Sequence, residues 1–131
     1  MIRGSCSCKK VEFELSNKPM IMGTCHCSRC RKAGSSILVI VKSDDLKITK
    51  GKETISTYRP ESGFKYLRNF CSNCGTSLGE ILSKDSSFPI SANCFDDDPI
   101  VRNEFHEFVS AKPDWYDICD TAKQFLEHPA K

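Results

Sequence analysis

Nine cysteines in a chain of 131 residues constrain this protein more than any other feature of its sequence. Seven of them fall into three short motifs: Cys6-Ser7-Cys8, Cys25-His26-Cys27-Ser28-Arg29-Cys30 and Cys71-Ser72-Asn73-Cys74. Cysteines so close in sequence pair with one another only under strain, and an odd total leaves at least one thiol unpaired. The chain also begins without the apolar core of a signal peptide. We therefore expect a cytoplasmic protein whose thiolates bind metal, rather than a secreted disulfide framework.

The overall composition excludes several classes of function. The 19 lysines and arginines against 17 acidic residues leave a net charge of +2, so a strongly basic nucleic-acid-binding protein is not expected. The longest apolar run, Ile37-Leu38-Val39-Ile40-Val41, is far shorter than the ~20 residues that a membrane-spanning helix needs. Residues 1–131 are therefore predicted to form one globular domain with neither a membrane nor a nucleic-acid partner, and the oligomeric state stays open.

Short apolar segments indicate a mainly β fold. The segment 11–15 alternates apolar and polar residues, as a half-buried strand does, and the continuous apolar segment 36–41 indicates a fully buried strand. Lys50-Gly51-Lys52 is predicted to connect its two flanking strands as a β-hairpin. Because short turns set most connections, we expect antiparallel pairing, with helix limited to 28–33 and 121–127. The further predicted strands are 19–24, 46–49, 53–58, 65–70, 76–82, 88–94 and 104–109.

The spacing of the clustered cysteines predicts two metal sites. A C-x-x-C turn lets two sulfurs converge on one ion, with Zn–S bonds near ~2.3 Å. Seven clustered thiols are too many for one tetrahedral ion and one too few for two four-cysteine sites, which favours one closed structural site and one three-ligand site. Three protein ligands with a fourth position free are the pattern of a catalytic zinc. The first cluster is predicted to contain Cys6, Cys8, Cys71 and Cys74, and the second cluster Cys25, Cys27 and Cys30.

The same residues allow other arrangements. His106 or one of the isolated cysteines, Cys94 and Cys119, could close the second cluster and make both sites structural. The clusters could instead hold an iron–sulfur centre, although that chemistry usually uses four cysteines in other spacings. A redox-active pair at Cys71 and Cys74 lacks the surrounding βαβ pattern of a thioredoxin-like protein. Two zinc ions per chain are therefore the favoured cofactors.

Three longer motifs occur along the chain in a fixed order: Gly4-Ser5-Cys6-Ser7-Cys8, Cys25-His26-Cys27-Ser28-Arg29-Cys30-Arg31-Lys32 and Phe70-Cys71-Ser72-Asn73-Cys74-Gly75-Thr76. Downstream, Asp96-Asp97, His106 and Lys112-Pro113-Asp114-Trp115 continue the pattern. This ordered set resembles the glutathione-dependent formaldehyde-activating enzyme family, whose domain is shared by the centromere protein V group. The resemblance extends over nearly the whole chain.

The resemblance implies a zinc-stabilised, antiparallel β-tent fold with a few short helical turns. It also implies that the first cluster is structural and that Cys25, Cys27 and Cys30 carry the active zinc. The implied activity is that of a carbon–sulfur lyase: glutathione and formaldehyde combine to S-(hydroxymethyl)glutathione, and the reverse reaction breaks the carbon–sulfur bond. The expected partners are therefore a small thiol, such as glutathione, and an aldehyde.

Two other classes of function remain open from the sequence. A β-tent domain can serve as a non-catalytic, zinc-stabilised binding module, as in the centromere protein V group, which binds cytoskeleton or chromatin. No basic tail is evident, so we do not expect chromatin binding. Methionine sulfoxide reduction would need a reactive cysteine outside the zinc sites, for which Cys94 and Cys119 are the candidates.

Several residues near the motifs have weaker assignments. His26 lies between two proposed ligands, so on an extended backbone its side chain points away from them, and a role outside the metal ligands or at the surface is expected. His106 is expected to be packed or solvent-facing, and the resemblance adds an active-site role. Trp115 is expected to be a core or rim aromatic, and Cys119 a buried small hydrophobe.

A group of cations surrounds Cys30 in the sequence. Arg29, Arg31 and Lys32 could attract substrate carboxylates or could form a solvated face. The sequence favours neither alternative.

Overall fold

The computed structural model describes residues 1–129, and these fold mainly as short strands. In this part of the chain the only α-helix is α1 (Ser28–Lys32), and no helix is long and apolar enough to span a membrane. The remaining helical residues form 3-10 turns at Ser43–Asp45, Lys52–Thr54, Ala92–Cys94 and Val109–Ala111. The strands are β1 (Ile2–Ser5), β2 (Glu12–Leu15), β3 (Ile21–Cys25), β4 (Ile37–Lys42), β5 (Leu46–Lys50), β6 (Ile55–Tyr58), β7 (Arg68–Cys71), β8 (Ser77–Gly79), β9 (Ser87–Ser91), β10 (Asn103–Glu107) and β11 (Lys123–Gln124).

These strands form three sheets. The orders are β1-β2-β5, β6-β7-β8 and, in the largest sheet, β11-β10-β3-β4-β9. Every pairing in the two smaller sheets is antiparallel, and so are the pairings of β4 with β3 and β9. β10 differs, because it runs parallel to both β3 and β11. The prediction of a mainly β, antiparallel fold with a few short helical turns is confirmed, with β10 as the parallel exception.

The predicted hairpin at Lys50-Gly51-Lys52 is wrong. β5 pairs with β2, while β6 pairs with β7 in a different sheet. Gly51 does adopt a left-handed conformation, but a 3-10 turn follows it and redirects the chain. A Cβ on Gly51 would lie 1.8 Å from the carbonyl oxygen of Lys10. The glycine is therefore required by the close approach of another chain segment.

The predicted helix at 121–127 is also wrong. Residues Lys123–Gln124 form β11, which extends the edge of the largest sheet beside β10. The Phe125 amide donates to the carbonyl oxygen of His106 at 2.8 Å, and the Phe125 ring packs edge-to-face on Phe105. The backbone groups that would form hydrogen bonds within a helix instead form them with β10. Pairing between strands therefore overrides the local helical pattern.

The core is one cluster of buried apolar side chains that draws on all three sheets. Phe13 packs edge-to-face on Phe95 with ring centroids 5.6 Å apart. Burial of each large apolar side chain contributes roughly 1.5–3 kcal/mol. Cys6 and Cys71 belong to this same core, whereas Cys8 is half-buried and Cys74 is exposed, so the first cluster extends from the core to the surface. The largest fully buried side chains include Phe13, Leu15, Leu78 and Ile90.

Candidate metal centres and the adjoining cleft

The four sulfurs of the first cluster converge on one point, although they come from distant parts of the chain. Their Sγ atoms all lie within 4.8 Å of one another. The Cys6 and Cys8 sulfurs are 3.6 Å apart, and those of Cys8 and Cys71 are 3.8 Å apart. Four ligands at ~2.3 Å around a tetrahedral ion have their sulfurs about 3.8 Å from one another. The spacing and the all-thiol donor set therefore fit a tetrahedral zinc ion and are far too wide for disulfides.

Two turns present these sulfurs. Cys6 directly follows β1, and the amide of Val11 donates to its Sγ at 3.2 Å. Cys71 ends β7, and the amide of Gly75 closes its turn by donating to the Cys71 carbonyl at 2.8 Å. The amide of Ser7 donates to the hydroxyl of Thr76 and joins one turn to the other. The first cluster thus connects the three-stranded sheets that contain β1 and β7.

The thiols of the first cluster differ in acidity. Hydrogen bonds from the side chain and backbone of Thr76 lower the pKa of Cys74 to about 5. Burial raises the pKa of Cys71 to about 11. The side chain of Asn73 lowers the pKa of Cys8. A shared cation removes such differences, because a coordinating thiol is deprotonated outright.

The second cluster is local, since its sulfurs come from six consecutive residues. Cys25 ends β3, Cys27 caps the N-terminus of α1, and Cys30 lies within that helix. The Cys27 sulfur accepts a hydrogen bond from the Cys30 amide at 3.3 Å, which is the capping interaction that turns the chain. The three Sγ atoms lie within 4.8 Å of one another. A cap and a single helical turn therefore suffice to bring three thiols together.

Within residues 1–129, no fourth cysteine, histidine or carboxylate joins the second cluster. Cys94 is buried elsewhere, where its thiol donates to the carbonyl of Ser77, and burial raises its pKa to about 11. Cys119 is exposed, so the expectation that it is a buried hydrophobe is wrong. His106 bonds to other side chains. The alternatives that would close the second cluster with one of these three residues are therefore not supported.

The chemistry of the second cluster is influenced by an arginine that the sequence motifs did not identify. The guanidinium of Arg68, at the start of β7, donates to the Cys30 sulfur at 3.5 Å. The Cys25 thiol and this arginine together lower the pKa of Cys30 to about 5, with Cys25 as the larger cause. The hydrogen bond to Cys30, together with burial, raises the pKa of Cys25. Negative charge in the second cluster is therefore favoured at Cys30.

Two buried histidines and an exposed aspartate form a chain of hydrogen bonds that begins at His26, within the sequence motif of the second cluster. His26 and His106 are 5% and 3% exposed, and His26 Nε2 lies 2.8 Å from His106 Nδ1. His106 Nε2 lies 2.9 Å from the Asp120 carboxylate. The Tyr116 ring packs edge-on against His26. His26 is thus buried rather than at the surface, as is His106, and sequence reasoning missed Asp120 because no motif surrounds it.

The direction of the hydrogen bonds in this chain follows from its carboxylate end. Asp120 can only accept, so His106 Nε2 carries a proton and donates it. In a neutral His106 the other nitrogen, Nδ1, then accepts from His26 Nε2. Burial is the larger cause that lowers the pKa of His26, and the neighbouring His106 adds to it. Both rings are therefore fixed in orientation, and in the sequence His26 lies between Cys25 and Cys27.

A cleft of about 490 Å³ opens beside the second cluster. Arg29 and Lys32 from α1 line it together with Tyr58 and Arg68, whereas Arg31 lies outside its lining. Of the three cations near Cys30, two therefore face a cavity of the size that small ligands use. Of the two expected positions for Trp115, in the core or at a rim, the core is excluded, because the side chain is 76% exposed.

The fold and these two thiol clusters define a class, namely small β proteins with paired cysteine sites suited to metal. A family model described as glutathione-dependent formaldehyde-activating enzyme matches residues 1–111. The chain belongs to the glutathione-dependent formaldehyde-activating enzyme family, as its ordered motifs predicted. The match ends before β11 and Asp120.

Individual relatives agree with this assignment. A Schizosaccharomyces pombe protein named as an uncharacterized lyase is 25% identical over 123 residues, which cover 93% of this chain and 88% of that protein. A Talaromyces marneffei protein, named provisionally as a glutathione-dependent formaldehyde-activating enzyme, is 26% identical over 113 residues, or 81% of this chain and 59% of that protein. A crystal structure of a Rhodobacter sphaeroides protein is 26% identical, with a TM-score of 0.58, over 72% of this chain and 87% of that one. These similarities support a lyase-like or formaldehyde-activating enzyme with the predicted fold.

Proposed function

We propose that this protein is a zinc-dependent carbon–sulfur lyase that joins a thiol to an aldehyde and catalyses the reverse cleavage. The reaction is that of S-(hydroxymethyl)glutathione synthase, with glutathione and formaldehyde as substrates. The observation that carries the proposal is the second cluster, in which three thiols converge without a fourth protein ligand among the described residues. Such a set leaves one position for a substrate, as catalytic zinc sites do.

The two clusters take different roles in this proposal. Cys6, Cys8, Cys71 and Cys74 hold a structural zinc, and Cys25, Cys27 and Cys30 hold the reactive one. Zinc at the second cluster would supply Lewis acidity and would favour deprotonation of a substrate thiol near neutral pH. In the synthetic direction the sulfur–carbon bond forms as the carbonyl π bond breaks, and the thiol proton ends on the new hydroxyl group.

The chain's own residues prepare the site in two ways. The guanidinium of Arg68, at 3.5 Å from the Cys30 sulfur, favours negative charge on the cleft side of the cluster. His106 and Asp120 fix the ring of His26 and thereby restrain the backbone that carries Cys25 and Cys27. Holding the reactants in one orientation accounts for much of the rate gain that such a site can supply.

We also propose that residues 1–131 act as one domain. The family model ends at residue 111, yet β11 pairs with β10 and Asp120 bonds to His106 next to the second cluster. This strand pairing and this hydrogen bond support the assignment of residues 112–129 to the same folding unit as the site.

The test is NMR exchange spectroscopy on glutathione and formaldehyde with zinc-loaded protein, after subtraction of the uncatalysed exchange. Wild type is compared with Cys27→Ser and with Cys119→Ser, a matched control whose sulfur is exposed and outside both clusters. We expect faster exchange with wild type and Cys119→Ser and none above background with Cys27→Ser.

The contradicting result is an unchanged exchange rate with wild-type protein that contains two zinc ions. That result would remove the glutathione–formaldehyde assignment and would favour the binding-module alternative. Equal acceleration by wild type and Cys27→Ser would place the reaction outside the second cluster.

A further inference from the structure

Two side chains that line the cleft beside the second cluster bind a carboxylate of the chain itself, that of Glu61. The Arg29 guanidinium donates to Glu61 Oε2 at 3.0 Å, and the Tyr58 hydroxyl donates to Glu61 Oε1. The two oxygens thus have one donor each. The Arg29 guanidinium also lies 3.9 Å from the ring centroid of Phe64, which fixes its plane. Arg29 and Tyr58 therefore form a defined receptor for one carboxylate group.

This receptor lies next to the reactive sulfurs. Arg29 precedes Cys30 in α1, and Arg68 lines the same cleft while its guanidinium donates to the Cys30 sulfur. Lys32 adds a third cation to the lining. Of these three cations, Arg29 alone pairs with a carboxylate within the described residues, that of Glu61, so positive charge at the cleft exceeds negative charge. An anionic ligand that enters the cleft gains from this imbalance.

Glu61 is well placed to be exchanged for another carboxylate. It belongs to the segment 59–67, which connects β6 to β7 without regular secondary structure. Its side chain is 63% exposed, whereas that of Arg29 is 26% exposed. Exposed ion pairs contribute little to stability, so releasing Glu61 costs the fold little. The more buried cation would stay in place for the incoming ligand.

We infer that Arg29 and Tyr58 form a carboxylate subsite for an acidic thiol substrate and that Glu61 fills this subsite while no substrate is bound. This inference rests on the proposed function, because it concerns the thiol that reacts at the second cluster. Glu61 acts as a competitor held on the chain, and its side chain leaves Arg29 and Tyr58 when the substrate carboxylate binds. Thiols without a carboxylate gain nothing from the subsite.

The simpler explanation is that Arg29 and Glu61 form an ordinary surface ion pair. The two explanations differ in what happens when the negative charge of Glu61 is removed. A competitor leaves its receptor free, so an acidic ligand binds more tightly. A surface pair leaves ligand affinity as it was.

The experiment is titration calorimetry of zinc-loaded protein with S-methylglutathione, a thioether that cannot react, and with its dimethyl ester, which lacks both carboxylates. The variants are Glu61→Gln, Arg29→Met and the matched control Glu53→Gln, which removes the same charge from an exposed residue outside the cleft. We expect Glu61→Gln to bind S-methylglutathione about two- to fivefold more tightly than wild type, a factor typical of an exposed ion pair. Arg29→Met should bind it more weakly, Glu53→Gln as wild type does, and the ester should bind all four proteins equally.

Equal affinities of Glu61→Gln and Glu53→Gln for S-methylglutathione would overturn the inference, and so would wild-type binding of the ester as tight as that of the acid. The exchange measurements separate this failure from failure of the proposed function. Cys27-dependent exchange without an effect of Glu61→Gln on binding leaves the lyase and removes the subsite. The predicted binding pattern without any accelerated exchange leaves the subsite and removes the lyase.

Discussion

The two cysteine clusters are built in opposite ways. The first cluster joins strand ends that are far apart in sequence, and its Cys6 and Cys71 are 1% and 0% exposed within the hydrophobic core. The second cluster is made by six consecutive residues, through a cap and one helical turn. A cross-link between distant segments removes more chain entropy than a local one. We therefore expect metal at the first cluster to stabilise the fold, and metal at the second cluster to change stability little and to serve the proposed reaction.

The largest effect is expected when metal is removed from both clusters. A chelator should abolish the cooperative thermal unfolding transition seen by circular dichroism, because structural zinc contributes ~10–16 kcal/mol in small peptides. Restoring one zinc per chain should recover most of the transition, and the second should add little. An unfolding transition that chelation does not alter would contradict the structural role of the first cluster.

Single substitutions should reproduce this asymmetry at a smaller scale. Cys71→Ser is expected to lower the free energy of unfolding by roughly 4 kcal/mol or more, because a closed site loses a buried ligand. Cys27→Ser should lower it by about 1 kcal/mol, since the second cluster lies on one local segment. Urea unfolding of the two zinc-loaded variants measures the difference. Equal losses would mean that the clusters share one structural role.

We expect the chain to be more tightly packed near the first cluster than near the second. A Cβ on Gly4 would lie 2.2 Å from the Phe13 ring and 2.7 Å from the Cys94 carbonyl oxygen, so Gly4→Ala should cost roughly 2–3 kcal/mol. Gly34, just after α1, has nothing within 4 Å of such a Cβ, and its positive φ alone should make Gly34→Ala cost about 1 kcal/mol. Thermal unfolding of both variants checks the order. A costlier Gly34→Ala would show that the region of the second cluster is the more tightly packed one.

The smallest effect on stability is expected for Asp120→Asn, because the Asp120 side chain is 49% exposed. Its effect should instead appear in the hydrogen-bonded chain that it anchors. Long-range nitrogen NMR spectra of wild type should show protons on the Nε2 atoms of His26 and His106, and Asp120→Asn should disturb both rings. A change confined to His106 would mean that the chain does not transmit orientation to His26.

The clusters could be predicted from the sequence because the spacing of the cysteines within each motif determines which sulfurs can reach one ion. C-x-C and C-x-x-C turns can present sulfurs to one ion whatever the surrounding fold, so the grouping of seven thiols was predictable and the structure brings the predicted sets together. The alternation of apolar and polar residues and the continuous apolar segments likewise predicted the positions of most strands. β4, for example, spans Ile37–Lys42 against a predicted 36–41.

What the sequence could not show depends on contacts between distant residues. The strands on either side of Gly51 read as a hairpin, yet each finds its partner in a different sheet. Residues 121–127 have a helical pattern, but the edge of β10 recruits two of them as a strand. Arg68, Glu61 and Asp120 lie in no motif, and their importance follows from the side chains that tertiary structure places beside them.

The central claim is that one cluster is closed by four sulfurs and the other holds only three. Zinc-edge X-ray absorption on protein that contains two zinc ions tests this most directly, with Cys27→Ser as the comparison. We expect an average of about 3.5 sulfurs and about 0.5 nitrogen or oxygen ligands per zinc. Cys27→Ser is expected to retain one zinc with four sulfurs. Four sulfurs at both zinc ions of the wild type, or loss of the four-sulfur zinc in Cys27→Ser, would contradict the division into a closed site and a three-sulfur site.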